Sequence, residues 1–179
     1  MDQRQIVPVL YAKRGNGRPE LLGGELGLPN TGNTFNRHTF VVLTAGALAA
    51  CASAAVLSCG LCLDASTTVT KADPPYNILG GKHFPLDLRG ARFAVSVTDS
   101  SGHFGQANSA PQTSAVAIGT SYGLIKLSDG NHALNVGNTS QLFFTVVEIP
   151  AEYNGIKQDA NTYNPVVIVE IVPAVVQPV

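Results

Sequence analysis

HTFVVLTAGALAACASAAVLSCGLCL, residues 38–63, carries no formally charged side chain, and the way it folds decides the fold of the whole chain. Nineteen of the 25 residues from 39 to 63 are apolar, and a membrane-spanning helix needs about 20. Seven of these are alanines, however, so the middle is weakly hydrophobic, whereas the strongly apolar residues lie at the two ends. The pattern therefore predicts two buried strands, residues 40–44 and 55–63, joined by a bend.

Two other interpretations of the same run stay open. If residues 39–63 formed one helix, the protein would be a membrane-anchored envelope protein with an external β domain. The letters LAAC at 48–51 also resemble the cleavage and acylation box of bacterial lipoproteins. That box would begin later than a signal peptide normally does, because signal peptides place their apolar region within about the first 15–30 residues.

Composition limits the classes of function. The 179 residues fit one domain with an extension, and only 13% of them are charged while 45% are hydrophobic. Residues 1–37 hold five basic and three acidic side chains, whereas residues 38–179 hold six basic and nine acidic. Neither part has the concentrated positive charge that nucleic-acid binding requires, so we expect no direct nucleic-acid partner. So much uncharged surface predicts a protein partner that covers it.

Residues 1–37 are predicted to form an extended, glycine-rich N-terminal arm, and residues 38–179 a compact body. The arm contains one plausible strand, residues 6–12, which Pro8 restricts to the edge of a sheet. After it come repeated turn signals such as GNG at 15–17 and GG at 23–24. We expect the arm to lie on neighbouring subunits, and the predicted contact residues are Val9, Leu10, Tyr11, Arg14, Arg18, Leu21 and Leu22.

The body contains short apolar segments separated by turn signals, which is typical of all-β proteins. The fold class predicted is therefore all-β, a compact antiparallel β-barrel or sandwich. The loop at 99–112 is long and polar, and SDGN at 128–131 predicts a hairpin turn. The predicted strands are residues 86–88, 91–98, 115–118, 124–127, 133–136, 142–149 and 166–172.

The residues give little support for catalysis, a metal or a cofactor. Cys59 and Cys62 form a single C-x-x-C without the second pair that a structural zinc site needs, and with Cys51 they are best explained as buried apolar side chains. The four histidines are scattered, and His103 in the long loop is most simply an exposed side chain. We therefore expect no enzyme activity, no metal site and no cofactor.

The runs VLTAGALAA at 42–50 and VLSCGLCLDAS at 56–66 resemble the small-residue and apolar core of capsid decoration proteins, also called cement proteins, of tailed bacteriophages. The resemblance implies a structural virion protein that is made in the host cytoplasm and sits on the capsid surface. It implies the major capsid protein and copies of the chain itself, in a homo-oligomer such as a trimer, as partners, and no membrane. A tail or baseplate component is the nearest alternative within a virion.

Overall fold

The computed structural model describes residues 6–11, 13, 19–24, 27–30, 33–66, 82–104, 115–151 and 165–179. Within these ranges the backbone forms β-strands and a short 3-10 helix, Pro173–Val175, with no α-helix. None of the helical structure found there is long and apolar enough to cross a membrane. The strands are β1 (Val7–Leu10), β2 (Leu28–Pro29), β3 (Thr39–Thr44), β4 (Ala47–Ala50), β5 (Gly60–Cys62), β6 (Lys82–His83), β7 (Arg92–Thr98), β8 (Ser121–Lys126), β9 (His132–Asn135), β10 (Phe144–Glu148) and β11 (Val166–Ile171).

Five strands close into a barrel in the order β7-β11-β10-β8-β9, which confirms the predicted all-β fold. Four of the five seams are antiparallel, as expected. The seam that closes the barrel is parallel and short, pairing Val97 with Leu134 and Thr98 with Asn135. Strand β9 therefore covers only the end of β7, and β1 pairs with the beginning of β7, at residues 92–94. The N-terminal strand β1 thus pairs with the barrel of its own chain.

The uncharged run at 38–63 folds into a separate three-stranded sheet, β4-β3-β5, which we call the small sheet. The predicted first strand is confirmed as β3, but the predicted second strand is reduced to the three residues of β5. The bend lies earlier than the composition indicates. Ala45 and Gly46 form a two-residue hairpin loop with φ of 50° and 80°, the positive values that a type I′ turn requires. The alanine-rich middle, Ala47–Ala50, is consequently a strand itself.

Other predicted strands show a similar mixture of outcomes. Predictions at 91–98, 124–127, 133–136, 142–149 and 166–172 correspond to β7, β8, β9, β10 and β11. Residues 86–88 make only isolated bridges, from Leu86 to Leu21 and Leu61. The prediction at 115–118 is wrong, because the chain turns there at Ile118 and Gly119, and Ile118 is 63% exposed. The hairpin turn predicted at 128–131 is confirmed between β8 and β9.

Phe40 of β3 joins the small sheet to the barrel. Its side chain is fully buried and belongs to the same core cluster as the barrel residues Val95, Leu124 and Val169. The Phe40 ring centroid lies 5.2 Å from that of Phe143, and its distances to the rings of Phe93 and Phe144 are 5.5 and 5.6 Å. Aromatic pairs in such geometries stabilise a fold by about 0.5–1.5 kcal/mol each beyond the area they bury. The run that decides the fold is therefore held by packing against the barrel.

His132 of β9 makes a polar connection between the same two sheets. The Phe40 N–H donates to His132 Nδ1 at 3.1 Å, and His132 Nε2 lies 2.9 Å from the Cys51 carbonyl, which accepts from it. Only the neutral ring can make both bonds, because Nδ1 must accept while Nε2 donates. The side chain is completely enclosed, and this burial lowers the pKa of His132 to about 4.

We predict that stability falls as pH falls through the range set by His132. A histidine in the unfolded chain titrates near 6.5, so below that pH the unfolded chain takes up a proton that the folded protein, with a His132 pKa of about 4, does not. The free energy of unfolding should therefore drop by about 1.4 kcal/mol per pH unit, to a total of about 3 kcal/mol at pH 4. Urea unfolding between pH 7 and pH 4 measures this loss.

His132→Gln should remove that part of the pH dependence, since glutamine has a donor and an acceptor but does not titrate in this range. His103→Gln, at an exposed position, is the matched control: it keeps His132 and should therefore keep the loss of stability that His132 causes. An equally steep slope in His132→Gln would contradict this account of His132.

Candidate interaction surface

The three cysteines are buried and free, in agreement with the sequence-based interpretation. Burial raises the pKa of Cys51 to about 12 and that of Cys59 to about 11, and it raises the pKa of Cys62 as well. The thiols therefore stay protonated and unreactive at neutral pH. Cys59 precedes β5 and Cys62 ends it, and both pack in one small cluster with Phe35, Val41 and Leu48. Across the described ranges, no three histidine, cysteine or acidic side chains come together in a way that could hold a metal ion.

His103 lies in the described part of the predicted loop at 99–112 and interacts locally. Its ring Nδ1 is 3.2 Å from Asp99 Oδ2, and its side chain is 73% exposed. Asp99 Oδ1 also accepts hydrogen bonds from the backbone N–H groups of Ser101 and His103. The pair therefore closes its own turn, and this explains both side chains structurally. Residues 105–112 lie outside the described residues.

The described pieces of residues 1–37 pack on later residues of the same chain. Ile6 is only 1% exposed and belongs to the main core cluster, while β1 pairs with β7. Further along, Leu21 bridges to Leu86, and the Leu22 N–H donates to the Pro85 carbonyl at 2.8 Å. The division into an arm at 1–37 and a body at 38–179 stays a prediction, but no cut at residue 37 would leave the core of the body intact.

Strand β1 presents a row of exposed apolar side chains, which we call the apolar strip. It consists of Val7, Val9 and Leu10, whose exposed fractions are 41%, 54% and 51%. The register shifts between Pro8 and Leu10, so Val9 has no partner of its own on β7 and both Val9 and Leu10 project outward. No residue from Ile6 to Tyr11 is charged. Edge strands usually carry charge that discourages contact with other chains, so an uncharged strip is typical of a contact surface.

Pro8 determines how a partner can use this surface. The Val97 N–H donates to the Pro165 carbonyl at 2.9 Å, and the Thr98 carbonyl accepts from Val136 on the opposite side. Because backbone groups alternate along a strand, Phe93 faces β11 and not β1. Pro8, the partner of Phe93, therefore turns its nitrogen toward the outer edge, where it has no N–H to offer. The edge disfavours an added strand, so contact must be made mainly by side chains.

A second feature, which we call the end groove, lies where β11 ends and the chain enters β7. It has a volume of about 540 Å³, within the usual range for binding clefts. The chain segments that form it are distant in sequence, and its apolar lining includes Leu22, Leu88, Ile171, Pro173, Val176 and Val179.

Asp87 and Arg89 supply the charge in the end groove. Arg89 Nη2 lies 2.6 Å from Asp87 Oδ2, and Arg89 Nε contacts both carboxylate oxygens. Burial acts to raise the pKa of Asp87, but the hydrogen bonds from Arg89 outweigh it, so the pKa lies below its ordinary value. The carboxylate is therefore ionised and paired with Arg89, and the two side chains together add no net charge to the groove.

The structure separates the predicted contact residues into three groups. Val9 and Leu10 are exposed in the apolar strip, and Leu22 lines the end groove. Tyr11 and Leu21 are half-buried and pack against the main core. Arg14 and Arg18 lie outside the described residues. The sequence reasoning missed Val7 and the end groove. Val7 follows the buried Ile6, and successive side chains of a strand point to opposite faces. This alternation is a signal that could have identified Val7 as exposed.

No protein-family model matches this chain. No curated protein matches it, and no solved structure does either.

We predict that Pro8→Val makes the outer edge of β1 competent for strand pairing, because valine restores an N–H that points away from β7. The variant should associate several-fold faster than the natural chain when light scattering is followed at a fixed concentration. Pro29→Val is the matched control, since Pro29 is an exposed proline in the two-stranded sheet β2-β6. Equal association of all three proteins would show that Pro8 does not protect this edge.

Proposed function

We propose that this chain is a structural virion protein that binds the outside of a phage capsid and clamps neighbouring subunits. The observation that carries the proposal is the apolar strip, an uncharged row of outward-facing side chains on a strand that is fixed to a closed barrel. Its side chains are held in place before contact, which lowers the entropic cost of binding. A partner that covers Val7, Val9 and Leu10 removes apolar surface from water without having to desolvate a charge.

The low charge of the whole chain supports the same proposal. With 13% charged residues, the surface is better suited to a close protein contact than to binding a charged polymer. Stable protein contacts bury about 1,200–2,000 Å² in total, and a shell that carries many copies multiplies modest individual affinities. The partners in this proposal are the major capsid protein and copies of the chain itself.

We predict that Val9→Lys weakens binding to particles strongly, because it places a charge in the apolar contact. The experiment mixes purified protein with particles that lack it and measures co-sedimentation. Val56→Lys is the matched control, since Val56 is 56% exposed and Val9 is 54% exposed, while Val56 lies in the loop between β4 and β5. A loss of at least about tenfold in apparent affinity is expected for Val9→Lys alone.

Equal binding by both variants would remove the apolar strip from the proposal. Absence of the natural chain from purified particles of its virus would overturn the proposed function itself. The number of copies per particle separates the locations within a virion, because hundreds of copies indicate the head or the tail tube and a handful indicates the baseplate.

A further inference from the structure

We infer that the apolar strip and the end groove together form a two-fold interface with a second copy of this chain, in which Leu10 of each copy enters the end groove of the other. The inference deepens the proposed function, since it names a copy of the chain as the neighbour that the strip contacts. It also specifies a dimer, whereas the resemblance leaves the number of copies open.

The position of the two surfaces supports two-fold symmetry. Leu10 pairs with Arg92 at the start of β7, and Gly90, two residues earlier in the chain, lines the end groove. Ile171, which lines the groove, follows Glu170 of β11. Glu170 pairs with Arg92 across the edge of β7 opposite to β1. Strip and groove are therefore next to each other at one end of the barrel. Complementary surfaces that lie side by side can meet reciprocally across a two-fold axis, whereas a ring requires them on different sides of the molecule.

The charges around this region favour a copy of the same chain. Among the described residues, its six charged side chains are balanced, three basic and three acidic, and two pairs are joined within the chain, Arg89 with Asp87 at 2.6 Å and Arg92 with Glu170 at 2.8 Å. A surface without net charge meets no net repulsion from itself, and it does not attract a polyanion or an acidic membrane. The six are Lys13, Arg89, Arg92, Glu20, Asp87 and Glu170.

The shapes of the two surfaces are complementary as well. The strip offers Leu10 half exposed to solvent, whereas the groove is concave and lined mainly by aliphatic and proline residues. Among the described residues that line the groove, the only charged side chains are Asp87 and Arg89, and they are paired with each other, so they do not oppose an apolar side chain. Each dimer would contain this contact twice, because the two copies exchange it.

Sedimentation equilibrium of the purified full chain tests the inference, with Leu10→Lys and Leu22→Glu as variants. Each variant alone places two mismatched contacts in a symmetric dimer and should weaken dimerisation by at least about tenfold. An equimolar mixture should recover dimers, because the mixed pair keeps one natural Leu10–Leu22 contact and gains one Lys–Glu pair. Val56→Lys is the control and should dimerise like the natural chain.

A second measurement covers the case in which a variant does not fold. Leu10→Cys and Val179→Cys chains are mixed and treated with a short bifunctional maleimide, and the cross-linked dimer is measured on a denaturing gel. The natural cysteines are buried with raised pKa values, so the introduced thiols react selectively. The mixture should give several-fold more cross-linked dimer than either chain alone.

A natural chain that stays monomeric at concentrations up to about 100 µM would overturn the inference, since contacts weaker than that are not stable interfaces. So would a mixture of the two charged variants that dimerises no better than each alone. A monomer that still co-sediments with particles would overturn the two-fold interface and leave the proposed function standing. A chain that dimerises through this interface but does not bind particles would overturn the proposed function and leave the two-fold interface standing.

Discussion

The packing of Phe40 against Phe93, Phe143 and Phe144 is the contact on which the rest of the structure depends. An uncharged run of 26 residues cannot remain in water as an extended chain, and here it folds into the small sheet and buries its largest side chain in the core of the barrel. His132 adds two directional hydrogen bonds to this contact, and they fix the position of the backbone at Phe40 and Cys51. The aromatic rings supply apolar contact, and the hydrogen bonds of His132 hold the two sheets at a defined position.

The small number of charged residues also shapes the outer surface. Ile6 and Leu21 pack into or against the core, so the described parts of the N-terminal segment are held on the barrel, and Val7, Val9 and Leu10 between them face outward. The apolar strip exists because β9 covers just the end of β7 and leaves the start of that edge for β1. Because the pairing between β7 and β9 is short, β1 can pair with the rest of that edge of β7 and expose its outer side chains. Pro8 then limits that strand to side-chain contacts.

The sequence predicts those parts of the fold that depend on local pattern. Phe93, Val95 and Val97 alternate with more polar residues, and this alternation identifies β7 correctly. The hairpin at Ala45 and Gly46 could not be predicted, because an alanine with positive φ gives no local signal. The parallel seam between β7 and β9 and the end groove join residues far apart in the chain, so no local pattern predicts them. Val9 and Leu10 could be expected at an edge because of Pro8, but whether Tyr11 and Leu21 pack inward depends on the space left in the core.

Hydrogen exchange of the Phe40→Ala variant tests the central claim most directly, with Leu142→Ala as a control at a position that is 38% exposed. If the small sheet and the barrel form one cooperative core through Phe40, truncating the ring should lower the free energy of unfolding by about 3–5 kcal/mol. Exchange should then accelerate together in β3 and in β7, 10²-fold or more, roughly as that loss of stability requires. Faster exchange confined to residues 39–63, with the protection of β7 unchanged, would contradict the account.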